Sequence, residues 1–333
     1  MPRMFQMLHI RAWAAETETP RPEWGYFLFW SQQWFAGLIT FALFVLNQSH
    51  LRRLSTLPML ALVWIAMTSL SCAHCLLFLF ILLTPPARKP YWYNTEWLHG
   101  IIGCVSLAQH IFVWQMMYFL NSPFFQRQLL FTSLLTLLVP LLSWIVPKTP
   151  DHHRRINSVQ ESQTKVYFTT GLLSVTLCLF SKYVIFWRTV TDPEDHIANR
   201  LYLDHLDIRH FFVGISGLLK ILKDDPSMGA VVCDGIFTFL LLLTWIAVSS
   251  VSLGGMIKCS IHPTLETRQR TVWDPRNDLG RALARAPQPP AYSSWVGEHL
   301  FWKCVVATAL YLFGGLGWAA AAILGAGGVR LDP

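Results

Sequence analysis

Asp234 is the residue of this chain whose type and place point most directly to chemistry. It is the only acidic group well inside an apolar run, Met228–Trp245 (MGAVVCDGIFTFLLLLTW). A charged side chain at the centre of a spanning helix costs about 2.5–3.5 kcal/mol on insertion scales, so such residues are rare and functional by default. The expectation is a carboxyl that keeps its proton, faces a cavity and gives that proton to a bound substrate. Thr238 and Trp245 follow on the same helical face.

A second candidate constellation is a polar stripe over residues 98–120. His99, Ser106 and His110 share one face, with Gln109 beside them and Trp114 continuing the line. Glu96 stands at the mouth of this segment, and Glu96 and His110 join Asp234 as catalytic candidates, with the acceptor of the final proton left open. Further stripes run through Trp30, Gln33, Trp34 and Gly37, through Trp64, Thr68, Ser71 and Cys75 with His74 beside them, and through Tyr167, Ser174, Cys178 and Ser181. Taken singly, such stripes glue helices together. Taken jointly, they predict a polar, aromatic-lined cavity in which Asp234, Glu96 and His110 do chemistry and His74, His99, Gln109, Trp114, Trp34 and Trp245 form walls.

Other motifs carry less. Cys72-Ala73-His74-Cys75 has metal-ligand spacing but no second ligand pair, so no metal and no cofactor is expected. Lys303 near a helix end is explained by snorkelling. Walker, GxGxxG and HExxH patterns are missing from the sequence, as is a pair of acid-rich motifs suited to magnesium and diphosphate.

The elements that must position these residues are membrane helices. Of the 333 residues, 53% are hydrophobic and only 14% are charged, against about 25% charged in soluble domains. The 15 Trp suit a membrane–water interface. Seven runs meet the roughly 20-residue length of a span: 26–46, 57–83, 98–120, 128–146, 166–188, 228–257 and 299–326. Residues 210–222 (HFFVGISGLLKIL) are apolar but short, and leave an eighth crossing open. The predicted fold is all-α, one polytopic transmembrane bundle over 26–326 between a cytosolic segment 1–25 and a tail 327–333. The net charge of +7 is read as loop Lys and Arg that hold topology, with the membrane as partner and no nucleic acid. With seven spans, the N-terminus and loops 84–97, 147–165 and 258–298 carry 15 Lys/Arg, and the opposite side carries 8. The positive-inside rule then puts the N-terminus in the cytosol. Seven scattered Cys do not form a disulfide framework.

The run Asp225-Pro226-Ser227-Met228-Gly229-Ala230-Val231-Val232-Cys233-Asp234-Gly235-Ile236-Phe237-Thr238-Phe239, ending in Leu243-Thr244-Trp245, resembles fungal integral-membrane terpene cyclases of ascofuranone-type and macrophorin-type meroterpenoid pathways. The resemblance covers the span pattern and this one segment. It implies an enzyme of the endoplasmic reticulum that protonates an olefin or epoxide of a prenylated, farnesyl-type small molecule and cyclises it without metal. It carries a catalytic role over to Asp234 alone. The competing expectations are a non-enzymatic transporter or receptor-like binder of a lipophilic molecule, and a metal-using enzyme of lipid metabolism built on the His stripe. Broken helices and internal symmetry, the marks of many transporters, are not evident in the sequence.

Overall fold

The computed structural model describes residues 23–52, 54–84, 95–115, 131–139, 141, 156–191, 226–249, 251–261 and 292–327. Among them the fold is all-helical: α1 (Glu23–Arg52), α2 (Thr56–Thr68), α3 (Leu70–Leu83), α4 (Thr95–Gln115), a helical stretch at 131–139, α5 (Ile156–Thr191), α6 (Pro226–Val248), α7 (Leu253–Ser260) and α8 (Tyr292–Gly327). Four segments are long and apolar enough to cross a membrane: Phe29–Ser49, Gln163–Tyr183, Gly229–Val248 and Leu300–Ala326.

α1 is the hub. It carries no Asp, Glu, Lys or Arg between Glu23 and Arg52, and every residue from Ser31 to Ser49 is buried. Its polar groups therefore find partners inside the bundle. Asn47 donates to the Tyr167 hydroxyl (2.9 Å), Thr40 donates to the Ala36 carbonyl (3.0 Å), and Gln32 accepts from Ser181. The outer helices turn Leu79, Leu82, Leu179, Phe237, Leu240 and Phe301 outward. Polar groups inside and large apolar groups outside is the arrangement a bilayer rewards, because only the bundle interior can satisfy a hydrogen bond.

The predicted span 57–83 is not one helix. It breaks at Ser69, which has extended backbone (φ −153°, ψ 109°), and the chain doubles back there. The Arg52 guanidinium donates to Thr84 O (2.9 Å) and reaches Ile81 O (3.5 Å). Both ends of 56–84 thus lie beside the end of α1, whereas a straight 28-residue helix would separate them by about 42 Å. Register agrees. Leu70 packs on Gly37, His74 on Phe41 and Phe78 on Phe44, so α3 runs parallel to α1. α2 is the antiparallel leg between them.

α8 is broken as well. Gly315 has φ 80° and ψ −175°. The second leg runs parallel to α1, with Leu316 at Gln33, Gly317 at Ala36 and Gly325 at Tyr167. The first leg cannot continue that line. Leu300 packs against the core. It precedes Gly315 by 15 residues, about 22 Å of helix, while α1 extends only about 15 Å beyond Gln33 toward Glu23. Tyr311 instead stacks on Phe239 (4.1 Å) in the middle of α6. The first leg climbs toward Gly315 from the same face to which the second leg returns.

The remaining directions follow from pairs. α5 is antiparallel to α1 (Tyr167 with Asn47, Ser181 with Gln32), and α4 is parallel to α5 (Ser106 with Thr170, His110 with Ser174). Residues 131–139 are antiparallel to α4 (Phe131 on Phe112, Thr136 with Gln109), and α6 is parallel to α1 (Asp234 with Trp34, Trp245 with Phe44). α5 therefore ends on the face where α6 begins. Residues 210–222 lie outside the described residues.

Candidate functional site

Two polar centres stand out among the described residues. The first is the tip of the α2–α3 hairpin. A helix start leaves backbone N–H groups without intrahelical partners, and here the first two, on Leu70 and Ser71, point at the carboxyl of Asp234. Oδ2 accepts from Leu70 N (2.8 Å) and from Trp34 Nε1 (2.9 Å). Oδ1 accepts from Ser71 N (3.2 Å), Ser71 Oγ (2.6 Å) and Ser69 Oγ (2.7 Å). α3 has no acidic residue in its own first turn and no basic one in its last. Asp234 from α6 supplies the anion at its start and Arg52 from α1 the cation at its end, each with the sign the helix dipole favours.

The sequence leads one to expect Asp234 as an acid facing a cavity, and the structure shows what surrounds its carboxyl. Its side chain is 3% exposed and ringed by donors. The indole and the Leu70 N–H can only donate, and together they take both lone pairs of Oδ2, while the Ser71 N–H, which also can only donate, goes to Oδ1. The geometry makes Asp234 a helix cap that pins the hairpin tip to α1.

His74 and Trp245 are gathered at the same centre. His74 lies within electrostatic range of Asp234, and its Nδ1–H donates to Leu70 O (2.9 Å). Its ring meets Phe41 (4.6 Å) and Phe78 (5.6 Å), and Phe78 stacks on Trp245 (4.3 Å, 10°). The expected aromatic wall exists here as a packed cluster. His74 Nε2 and Trp245 Nε1 have no hydrogen-bond partner among the described residues.

The second centre holds His110. Its Nδ1–H donates to Ser106 O (2.7 Å), and Nε2 lies 3.0 Å from Ser174 Oγ, which is also 2.8 Å from Thr170 O. The Ser174 proton can turn to His110 or to Thr170, so this network accepts the imidazole with one proton or two. Beside it lies a groove of about 310 Å³ between α4 and α5, lined by Leu107, His110, Ile111, Leu173, Thr176, Leu177 and Phe180. His110 is the one titratable group among these lining residues. Leu107 and Ile111 are exposed on the outer surface of the bundle, so the groove opens sideways. No residue of α6 is among those that line it.

Gln109 faces away from the groove and donates to Thr136 (2.7 Å). Glu96, His99 and Trp114 belong to α4 by backbone, and their side chains lie outside the described set. Trp64 and Cys75, expected to share a face with Ser71, are exposed; the break at Ser69 puts Trp64 on a different helix from Ser71 and Cys75.

Lys182 was missed by the sequence reading. Its ammonium donates to Leu312 O (2.8 Å) and Phe313 O (3.4 Å), the carbonyls freed at the α8 break, while Gln33 Oε1 accepts from Leu316 N (3.0 Å) on the other side of it. The run Gly314-Gly315-Leu316-Gly317 inside an apolar helix was the available signal.

The chain has no match. No family model, curated protein or solved structure is similar to it at a significant level.

Proposed function

We propose that this protein is a multi-pass enzyme of the endoplasmic reticulum membrane that cyclises a prenylated, farnesyl-type lipophile in meroterpenoid biosynthesis. The observation that carries the reading is the sideways-opening apolar groove with His110 as its titratable group. The resemblance of Asp225–Trp245 to membrane terpene cyclases supports the reaction class, not the choice of His110, since the catalytic role it implies falls on Asp234. A bilayer-dissolved chain enters such a groove without passing through water. Imidazolium His110 protonates the substrate's epoxide oxygen, the C–O bond opens, and the chain's double bonds close rings onto the cation. The last carbocation returns a proton to His110 Nε2, so the reaction is an isomerisation. The Phe180 ring lies where a passing cation gains cation–π stabilisation. Asp234 positions the hairpin against α1 and touches no substrate in this reading.

His110→Gln keeps a hydrogen-bonding group beside Ser174 but moves no proton. Product from an epoxyfarnesylated precursor, followed by chromatographic shift at unchanged mass, is expected to fall at least about 100-fold, the lower range for loss of a general acid–base. Wild-type turnover in this variant would overturn the reading. A second reading, a transporter or receptor-like binder of a lipophile, is favoured by one observation: two discontinuous helices meet at one depth, as in many transporters. Precursor recovered unchanged but retained by the protein would select it.

The same reading fixes orientation. In this reading α1, α4, α5 and α6 cross, together with the segment that contains 131–139, and both hairpins enter from the Arg52 face. That face receives loops 47–56, 84–97, 147–165 and 258–298 and the tail, with 15 Lys/Arg. The Glu23 face receives the N-terminus and loops 121–127 and 189–227, with 8. The positive-inside rule now places the N-terminus in the lumen and the C-terminus in the cytosol, the reverse of the seven-span expectation. An N-terminal glycosylation tag should be modified and a C-terminal one should not. The opposite pattern would refute the hairpin topology.

A further inference from the structure

The groove beside His110 has two unlike ends. α4 and α5 run parallel, with Ser106 opposite Thr170 and His110 opposite Ser174. At the first pair two short side chains touch (3.1 Å). One turn further on, an imidazole is needed to span the gap to a serine (3.0 Å). The helices therefore splay apart toward the Glu23 face, and the groove narrows to an apex at Ser106 and Thr170. Leu107 and Leu173 stand at that end. Past them the same face of α4 carries Gly103 and Gly100, where a Cβ would meet nothing within 4 Å, and none of residues 163–172 of α5 is among those that line the groove. On the other side of His110 the wall continues through Thr176 and Leu177 to Phe180, six residues or about 9 Å beyond Ser174. A long guest that touches His110 finds the rest of its wall on the Glu23 side.

Polarity decides which end of a guest lies where. Apart from His110 the lining is apolar but for Thr176, whose hydroxyl already donates to Leu172 O (2.8 Å). His110 has Nδ1 committed to Ser106 O, so it offers a polar head one nitrogen, shared with Ser174. Ser174 is close to the middle of α5 (Ile156–Thr191), 18 residues from its start and 17 from its end. A head lodged at the apex would give up its water for one shared hydrogen bond, at a cost a hydrocarbon end does not meet.

We propose that a prenylated guest binds with the distal end of its chain at the apex and its head toward the Glu23 face, and that Leu107 and Leu173 are the specificity-determining residues that receive that distal end beside His110. Resting on the reading above for its occupant, this orientation leaves His110 facing the end of the chain remote from the head. It serves a cyclase and a binder alike.

The test uses full-length protein in nanodiscs and two isomeric probes. Each is a phenol bearing a saturated chain of farnesyl length, with a diazirine either at the distal end of the chain or next to the phenol. Label from the distal probe is expected on Leu107 to Ile111 or on Leu173, and label from the other on Phe180 or C-terminal to it. Leu173→Trp fills the apex and should cut distal labelling at least about tenfold, in the lower part of the range for overpacking. Leu173→Met, close in volume, should keep it. Unchanged distal labelling in Leu173→Trp removes the role of Leu173. The reverse pattern, the same residues labelled by both probes, or label outside the groove overturns the orientation. The probes hold no double bond or epoxide, so labelling is read apart from turnover. The expected pattern in a protein that makes no cyclised product keeps the orientation and ends the cyclase reading; cyclised product with the reverse pattern does the opposite. Should Leu173→Trp fail to fold, the two probes on the wild-type protein still decide.

Discussion

Asp234→Asn is expected to lower stability by roughly 2–4 kcal/mol, from one unpaired buried donor and the lost charge at a helix start. Asparagine offers one acceptor oxygen and one donor NH₂. If the NH₂ replaces Oδ2, it faces the Leu70 and Trp34 N–H groups, which can only donate. If it replaces Oδ1, the two serine hydroxyls can turn to accept, but Ser71 N–H is left without a partner. The second arrangement is the cheaper, and it still removes the anion from the start of α3. Asp234→Ala removes all five bonds and should cost more than Asn. Ser69→Ala, which loses one hydroxyl and the N-cap, should cost about 1 kcal/mol. Thermal unfolding of the three variants in nanodiscs should rank them Ala, Asn, then Ser69→Ala, most damaged first. An Asn variant as stable as wild type would remove the capping role. One that is stable yet makes no cyclised product would restore Asp234 as the acid.

Gly315→Ala should be at least as damaging, at about 3–5 kcal/mol from backbone strain and an unpaired buried N–H together. Its φ of 80° with ψ of −175° is a region that residues with a side chain scarcely enter. A Cβ there would also stand 1.7 Å from Gln33 Oε1 and 2.5 Å from its Cδ. The carboxamide would be driven off Leu316 N–H and the second leg left uncapped. Gly103→Ala is the internal control: this glycine lies within α4, and a Cβ there meets nothing within 4 Å. It should raise stability by about 0.5–1 kcal/mol through helix propensity. Combining Gly315→Ala with Gln33→Ala should relieve the clash but not the strain, leaving the double variant still less stable than wild type. Equal unfolding midpoints for Gly315→Ala and Gly103→Ala would show that the α8 break is not needed.

The class of this protein is legible in its sequence. Few charges, long apolar runs and many Trp leave a helical membrane protein as the consistent solution, because a bilayer admits no unpaired backbone. The stripes were legible too. Ser106 with His110, Tyr167 with Ser174, Cys178 and Ser181, and Gln33 with Trp34 and Gly37 all face other helices, since periodicity reports which side of a helix seeks partners. Asp234 stood out by its cost alone. The sequence did not reveal what these groups meet. Hydropathy records that a stretch is apolar and not which way it runs, so legs of 13 and 14 residues joined at Ser69 read as one span. The caps that make such a break tolerable come from far along the chain: Asp234 lies 165 residues from Ser69, and Gln33 lies 283 from Leu316. Tertiary structure alone brings them together, and in doing so it places the Asp234 carboxyl at the start of α3 and sets both ends of each hairpin on one face.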